Sequence, residues 1–308
     1  LGHSYQYELE KLTRLFFPNE KIRVIFEQSD GTDTDPLCRT EIQDNTAHVF
    51  CRFGERTWSQ SVSLENVQDA ELQIASMLFC ALQELTGYQP KWGLLTGIRP
   101  SKLLLALQNE MGAANAHAYF RDRFFVSEEK TALTESVAAR EESIIRTSRP
   151  DSCSLYVSIP FCPTRCSYCS FVSHAANSAT AKKLLPDYVT LLTKEIAQTG
   201  AYANALGLRL ESVYFGGGTP TTLSAEQLGI LLSAVEQAFD LSAVREYTVE
   251  AGHPDTVTRE KLVALKNGGV TRVSINPQTF NDAVLREIGR NHTSALTESA
   301  YFAARDAG

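Results

Sequence analysis

Three cysteines stand close together in the chain, at Cys162, Cys166 and Cys169. Three residues separate the first pair and two residues separate the second pair. Cysteine thiolates are the usual protein ligands of iron–sulfur clusters. A cubane cluster needs four ligands, so a loop that supplies three thiolates leaves one iron open to a small molecule. An open coordination position is what a catalytic metal site requires.

A structural zinc site is the alternative for the same loop. His174 follows Cys169 by five residues, which would complete a Cys3His set. The loop follows a predicted strand, however, and does not have the form of a small zinc knuckle. Four of the seven cysteines lie elsewhere, and an odd number without a secretion signal argues against a disulfide framework. These four are Cys38, Cys51, Cys80 and Cys153.

Other residues suited to ligand binding follow later strands. The glycine run 216–218 lets the backbone approach a ligand and offers N–H groups to an anion. Glu250 ends a strand, where its carboxylate can accept hydrogen bonds from an ammonium or a hydroxyl group. Gln278 follows the next strand, and Arg290 carries planar donors for oxygen ligands. Taken singly, each also fits an ordinary turn, a strand-end charge or a helix-end charge.

The elements that would position these residues alternate between strand and helix after about residue 151. Predicted strands cover 154–160, 211–217, 246–252 and 271–277, and predicted helices cover 186–202, 224–239, 258–268, 281–289 and 294–307. Ser224 and Gln227 form a capping box at the start of one helix. Short apolar strands that alternate with helices predict a parallel α/β sheet. In parallel barrels, the loops after the carboxyl ends of the strands carry the chemistry.

The first 150 residues have a different pattern and predict a small α+β domain before the domain 151–308. We expect a helix over Tyr7–Phe16, a strand over Lys21–Glu27 and three short β segments with a turn at Asn45. A helix over Asn66–Gly87 follows, and the next helix is expected to open at Ser101 or Lys102, since Pro100 suits a helix start. Two more helices are expected up to about residue 149.

The YVSIPFC segment, the CSYCSF that follows it and the later GGGTP resemble the radical S-adenosylmethionine (SAM) superfamily, in its coproporphyrinogen III oxidase-like branch. The resemblance implies an incomplete parallel (β/α) barrel and a [4Fe–4S] cluster on Cys162, Cys166 and Cys169. It implies that SAM binds the open iron and is cleaved by reduction to methionine and a 5′-deoxyadenosyl radical. The SAM contacts that it implies are Tyr156, Gly217, Gly218, Thr219, Glu250, Gln278 and Arg290.

The first half of the chain sharpens the resemblance. Its WGLLTGIRPSKLL segment is similar to the long variant of oxygen-independent coproporphyrinogen III oxidase, also called coproporphyrinogen dehydrogenase. That implies oxidative decarboxylation of coproporphyrinogen III to protoporphyrinogen IX in heme synthesis, with an external electron donor such as flavodoxin or ferredoxin. Phe171 stands where some relatives have a further cysteine, which weakens the transfer of the exact substrate chemistry. A heme chaperone of the same branch, a heme-modifying radical SAM enzyme and a zinc-stabilised domain remain alternatives.

Composition excludes some other classes. The 308 residues carry a formal net charge of −7, which disfavours nucleic-acid binding as the main role. We see no signal peptide and no apolar run long enough to span a bilayer, so we expect a cytoplasmic protein. The chain begins at Leu1 and stops after a helical run. We therefore expect a trimmed chain without the fifth and sixth strands of the family barrel.

Overall fold

The computed structural model describes residues 1–26, 36–65, 68–97, 99–171 and 174–308. The chain divides into two compact units, Leu1–Thr147 and Ser148–Gly308. Within the described ranges, no helix combines the length and the apolar character needed to cross a membrane.

The first unit combines a three-stranded meander with helices. Its elements in chain order are α1 (Gln6–Phe16), β1 (Leu37–Gln43), β2 (Thr46–Phe53), β3 (Arg56–Ser63), α2 (Ala70–Thr86), α3 (Pro100–Met111), α4 (Ala113–Asp122) and α5 (Glu128–Ile145). The strands are antiparallel in the order β1-β2-β3. Asp44 and Asn45 join β1 to β2 with positive φ angles of 47° and 55°, as a tight hairpin turn requires. The predicted turn at Asn45 is confirmed.

The predicted strand Lys21–Glu27 is wrong where the structure describes it. Residues 21–26 have no regular secondary structure, and Glu27 lies outside the described residues. Their apolar side chains are largely exposed, with Phe26 66% accessible. A strand exists only when it pairs with another, and in the described part of this sheet β1, β2 and β3 pair only among themselves. Alternation in the sequence does not reveal whether a partner is present.

The second unit is an α/β unit around a parallel sheet. Its elements are β4 (Ser152–Ile159), β5 (Phe161–Cys162), β6 (His174–Ala175), α6 (Ala179–Ala205), β7 (Arg209–Gly217), α7 (Ala225–Ala238), β8 (Glu246–Ala251), α8 (Arg259–Asn267), β9 (Arg272–Ile275), α9 (Asp282–Glu287) and α10 (Ser294–Asp306). The sheet order is β4-β7-β8-β9, with every pair parallel. Among the described residues the sheet is open, so the α/β class and the incomplete barrel are confirmed.

One face of this sheet is apolar and the other is polar. Val157, Ile159, Val213 and Phe215 are at most 2% exposed and share one core with side chains of α6 and α7. Burial of each such side chain contributes roughly 1.5–3 kcal/mol. Because successive strand residues point to opposite faces, Tyr156 and Glu250 lie on the polar face.

Helix α6 begins earlier than the sequence predicted. The prediction placed its start at Pro186. The structure begins the helix at Ala179, where the Ser178 side chain accepts a hydrogen bond from the backbone N–H of Ala181. Pro186 therefore lies inside the helix. The capping box of Ser224 and Gln227 at the start of α7 is confirmed.

Candidate functional site

The cysteine loop lies beyond the carboxyl end of β4. Cys162 ends the short strand β5, and Cys166 and Cys169 follow in the loop. All three are free thiols; Cys162 and Cys166 are buried and Cys169 is half-buried. Thr164 donates a hydrogen bond to the carbonyl of Gly289 (2.9 Å), which fixes the loop next to the end of α9.

The glycine run packs directly against this loop. Gly217 has a φ of +102°, in the region that favours glycine. The backbone N–H of Gly218 donates to Ile159 O (2.8 Å), and that of Thr219 donates to Phe161 O (2.8 Å). The Thr219 hydroxyl lies 3.6 Å from Cys162 Sγ and donates to it. Since a Cβ atom on Gly218 would lie 2.9 Å from the same sulfur, this approach requires glycine.

Glu250 lies on the polar face of the sheet beside two tyrosines. The Tyr214 hydroxyl donates to Glu250 Oε1, and the Tyr214 ring stacks on Tyr156 at 5.8 Å between centroids. Burial and the Glu250 carboxylate raise the pKa of Tyr214 to about 12, so its hydroxyl stays a donor at neutral pH. Tyr156 itself is 60% exposed. Tyr214 was not predicted as a site residue from the sequence. Its position two residues before the glycine run could have indicated it.

Arg290 lies close to the cysteine loop and Gln278 does not contact it. The Arg290 guanidinium is buried and donates from Nη1 to Gly252 O (2.6 Å) and from Nη2 to the Tyr168 hydroxyl (3.2 Å). Its Nε atom is buried without a hydrogen-bond partner among the described residues. Gln278 is exposed and has a φ of +62°, which is strained for a residue with a side chain.

Two histidines near the cysteines complete the surroundings. His253 is buried in the loop after β8, and its Nε2 atom lies 4.0 Å from Cys166 Sγ. The ring of His292 packs edge-on to the ring of His253 at 6.4 Å between centroids. His253 was not predicted as a site residue from the sequence. The available signal was its place three residues after Glu250, at the same edge of the sheet.

His174 is badly placed to complete a zinc site. It pairs with Phe161 in the short β5-β6 ladder, and the two rings lie 6.0 Å apart between centroids. Neighbouring strand residues point to opposite faces, so Cys162 points away from the face that holds Phe161 and His174. The Cys3His alternative therefore lacks its fourth ligand in this arrangement.

The residues present fit a cluster with three protein ligands and an open position. They supply three thiols on one anchored loop, a glycine backbone that passes Cys162 Sγ closely, and unpaired buried donor atoms next to the loop. Comparison with protein families matches residues 156–308 to the radical SAM superfamily. The chain belongs to this superfamily. Radical SAM proteins bind a [4Fe–4S] cluster and SAM, and the chain shares these cofactors.

Individual relatives place the chain in the coproporphyrinogen oxidase-like branch. It is 38% identical over 231 residues to the oxygen-independent coproporphyrinogen-III oxidase-like protein HemZ of Bacillus subtilis, across 74% of this chain and 46% of that protein. It is 36% identical over 157 residues to the heme chaperone HemW of Haemophilus influenzae, across 50% of this chain and 40% of that protein. The chain thus spans less than half the length of these relatives.

One solved structure has a similar chain path. It is coproporphyrinogen III oxidase (HemN) from Escherichia coli, a radical SAM enzyme, with a TM-score of 0.45 and 24% sequence identity. The similarity covers 55% of this chain and 38% of that chain.

Proposed function

We propose that this protein is a radical SAM enzyme that converts coproporphyrinogen III to protoporphyrinogen IX by oxidative decarboxylation without oxygen. The observation that carries the proposal is the junction of the cysteine loop with the glycine run, where Thr219 and Gly218 meet Cys162. The choice of substrate is supported by the relative in Bacillus subtilis. Its 231 aligned residues exceed the 153 residues of the radical SAM match, so the likeness extends into the first unit.

Each site residue has a proposed role. Cys162, Cys166 and Cys169 hold the cluster. Gly217, Gly218 and Thr219 line the place of the amino-acid part of SAM, because glycine lets a ligand approach the backbone closely. Glu250 accepts hydrogen bonds from the SAM ammonium or ribose, and Tyr156 lines the same face. Gln278 and Arg290 contact SAM from the last strand and the end of α9. Residues 151–308 form the radical SAM domain, and residues 1–150 form an α+β domain that precedes it.

When bound, the cluster on Cys162, Cys166 and Cys169 together with SAM would supply a 5′-deoxyadenosyl radical able to take one hydrogen atom from a substrate propionate. That propionate would lose its carboxylate as carbon dioxide, form a vinyl group and give one electron to an external acceptor, and protoporphyrinogen IX requires this at two propionates in turn. An external donor such as flavodoxin or ferredoxin supplies the electron that reduces the cluster. The protein's own residues position SAM over the sheet and keep water away from the cysteine loop, where Cys162 and Cys166 are buried.

A heme chaperone is the second candidate function. It is favoured by the likeness to HemW proteins, which covers about half of this chain. A chaperone would bind heme stoichiometrically and would not decarboxylate coproporphyrinogen. A heme-modifying radical SAM enzyme would differ from both in the mass of its product.

Anaerobic turnover with coproporphyrinogen III, SAM, a reductant and an electron acceptor tests the proposal. We expect protoporphyrinogen IX, carbon dioxide and 5′-deoxyadenosine to form together, and we expect Cys166→Ser to abolish all three. Cys153→Ser is the matched control, since Cys153 lies on β4 outside the loop, and it should remain active. Heme binding without any decarboxylation would replace the proposal by the chaperone function.

A further inference from the structure

His253 has a polar contact that ordinary packing does not explain. His253 is 3% exposed, and its Nε2 atom lies 4.0 Å from Cys166 Sγ, within reach of a hydrogen bond to sulfur. Its other ring nitrogen, Nδ1, has no hydrogen-bond partner among the described residues. Burial of a polar group is costly unless it is hydrogen-bonded. The sulfur of Cys166 is therefore the partner that the ring is placed to meet.

The loop that carries His253 is held firmly. The carbonyl of His253 accepts hydrogen bonds from the N–H (3.0 Å) and the hydroxyl (2.6 Å) of Thr256. The Thr256 hydroxyl also shares a 2.6 Å hydrogen bond with that of Thr221. Lys261 Nζ donates to the carbonyls of Thr221 (2.6 Å) and Thr256 (3.1 Å). Three segments of the second unit therefore hold the loop backbone that carries the imidazole ring.

The neighbours of His253 do not favour a separate metal site. The possible ligand atoms of His253, Asp255 and His292 lie within 4.8 Å of one another. Lys261 and Arg290, however, add positive charge next to Asp255 and His292, and this charge opposes a metal cation. Asp255 Oδ1 lies 3.5 Å from Nδ1 of His253, which is long for a hydrogen bond.

We propose that His253 donates a hydrogen bond from Nε2 to Cys166 Sγ in the cluster-bound protein and makes the cluster easier to reduce. The proposal rests on the cluster that the proposed function places on Cys166. An iron-bound thiolate has no proton and can only accept, so the proton of this pair belongs to the imidazole. Hydrogen bonds to cluster sulfurs tune the reduction potential, and a donor favours the more negative, reduced form. His253 is a positioning residue that acts through Cys166.

The midpoint potential of the cluster tests this role, measured by a redox titration followed by electron paramagnetic resonance (EPR). We expect His253→Leu, which has no donor, to shift the potential to a more negative value. His253→Gln keeps an N–H donor of similar reach and should stay close to the wild-type potential. His174→Leu is the matched control, because His174 is exposed and lies against Phe161, and it should leave the potential unchanged. An unchanged potential in His253→Leu with a full cluster would overturn the proposal.

Iron and sulfide content is measured first, so that the two proposals fail in different ways. A wild-type protein without a four-iron cluster would overturn the proposed function. If His253→Leu cannot retain the cluster, pulsed EPR of reduced wild-type protein labelled with ¹⁵N-histidine gives the answer. We expect a ¹⁵N coupling to the cluster that disappears in His253→Gln. No ¹⁵N coupling in the wild-type protein would contradict the hydrogen bond.

Discussion

At the scale of single residues, the site depends on the absence of a side chain at Gly218. A Cβ atom there would lie 2.7 Å from Phe161 O, 2.9 Å from Ile159 O and 2.9 Å from Cys162 Sγ. Two of these atoms belong to the backbone and cannot move aside cheaply. We expect Gly218→Ala to destabilise the protein by about 1–3 kcal/mol, as overpacking does, and to lower its iron content. Urea unfolding and iron analysis measure both effects.

Gly229 is the matched control for this prediction. It lies inside α7, and a Cβ atom there meets no heavy atom within 4 Å. Gly229→Ala should stabilise the protein by about 0.5–1 kcal/mol, because alanine loses less backbone freedom on folding. Equal effects of the two substitutions would contradict the close packing of glycine against the cysteine loop.

The carboxylate of Glu250 makes a second prediction about a single residue. If it accepts hydrogen bonds from the SAM ammonium or ribose, Glu250→Gln should weaken SAM binding by roughly tenfold or more, since hydrogen bonds to charged groups contribute about 1.5–3 kcal/mol. The cluster content should stay the same. The affinity is measured by a SAM titration of the cluster EPR signal. Glu246→Gln, on the same strand, is the control, and equal affinities in both variants would rule out this role.

The residues predicted for the candidate site are those whose neighbours along the chain form a motif. Cys162, Cys166 and Cys169 share one loop, and the glycine run is a motif by itself. Tyr214 and His253 were missed because each meets its partner across strands or loops that are far apart in sequence. Tyr214 meets Glu250 across β7 and β8, and His253 meets Cys166 across 87 positions. Such contacts depend on register, which local patterns do not contain.

At the scale of elements, a polar cluster joins the amino ends of β4, β7 and β8. Glu211 of β7 is 5% exposed and pairs with Arg245 and Arg209. Hydrogen bonding by Ser152 and Ser148 and the charge of Arg245 lower the pKa of Glu211 to about 2. The Glu211 carboxylate therefore stays ionised in the folded protein well below its ordinary pKa.

This depressed pKa predicts a pH-dependent contribution to stability. Because the folded-state pKa lies below the unfolded value of 4.5, the contribution is complete above about pH 5 and is lost as the pH falls towards 2. Glu211→Gln should therefore be less stable than wild type at pH 7, with a difference that shrinks between pH 5 and pH 3. Urea unfolding across this range measures it. The exposed Glu236→Gln is the control, and a difference that is independent of pH would contradict the prediction.

The order of elements in the second unit could be predicted from the sequence, and several boundaries could not. Every predicted strand and helix after residue 151 exists, because apolar strands and amphipathic helices have different periods. Helix α6 begins seven residues before its predicted start, since a proline can lie inside a helix as well as begin one. Within the described ranges, residues 21–26 of the strand predicted over Lys21–Glu27 pair with no other strand. Both errors depend on contacts with other parts of the chain, which a local sequence pattern does not specify.

At the scale of the whole molecule, each unit has its own hydrophobic core. Leu82 is fully buried in a core of the first unit, and Leu231 is fully buried in the core of the second unit. Replacement of a buried leucine by alanine costs about 2–5 kcal/mol. We expect Leu82→Ala to destabilise the first unit and leave the iron content unchanged. Leu231→Ala should destabilise the second unit and reduce the iron content.

Hydrogen exchange reports on each unit separately and tests the predicted loss of stability. Iron analysis tests the predicted iron content. Each substitution should lower protection within its own unit, because the lost contacts belong to that unit's core. A loss of iron in Leu82→Ala equal to that in Leu231→Ala would contradict the assignment of the cluster to the second unit alone.

The central claim is that Cys162, Cys166 and Cys169 hold a [4Fe–4S] cluster whose open iron binds SAM. The most direct test is the iron and sulfide content of protein purified without oxygen, with the EPR spectrum of the reduced form before and after SAM is added. We predict about four irons and four sulfides per chain and a spectrum that SAM changes. One zinc ion per chain, with no sulfide and no EPR signal, would contradict the account.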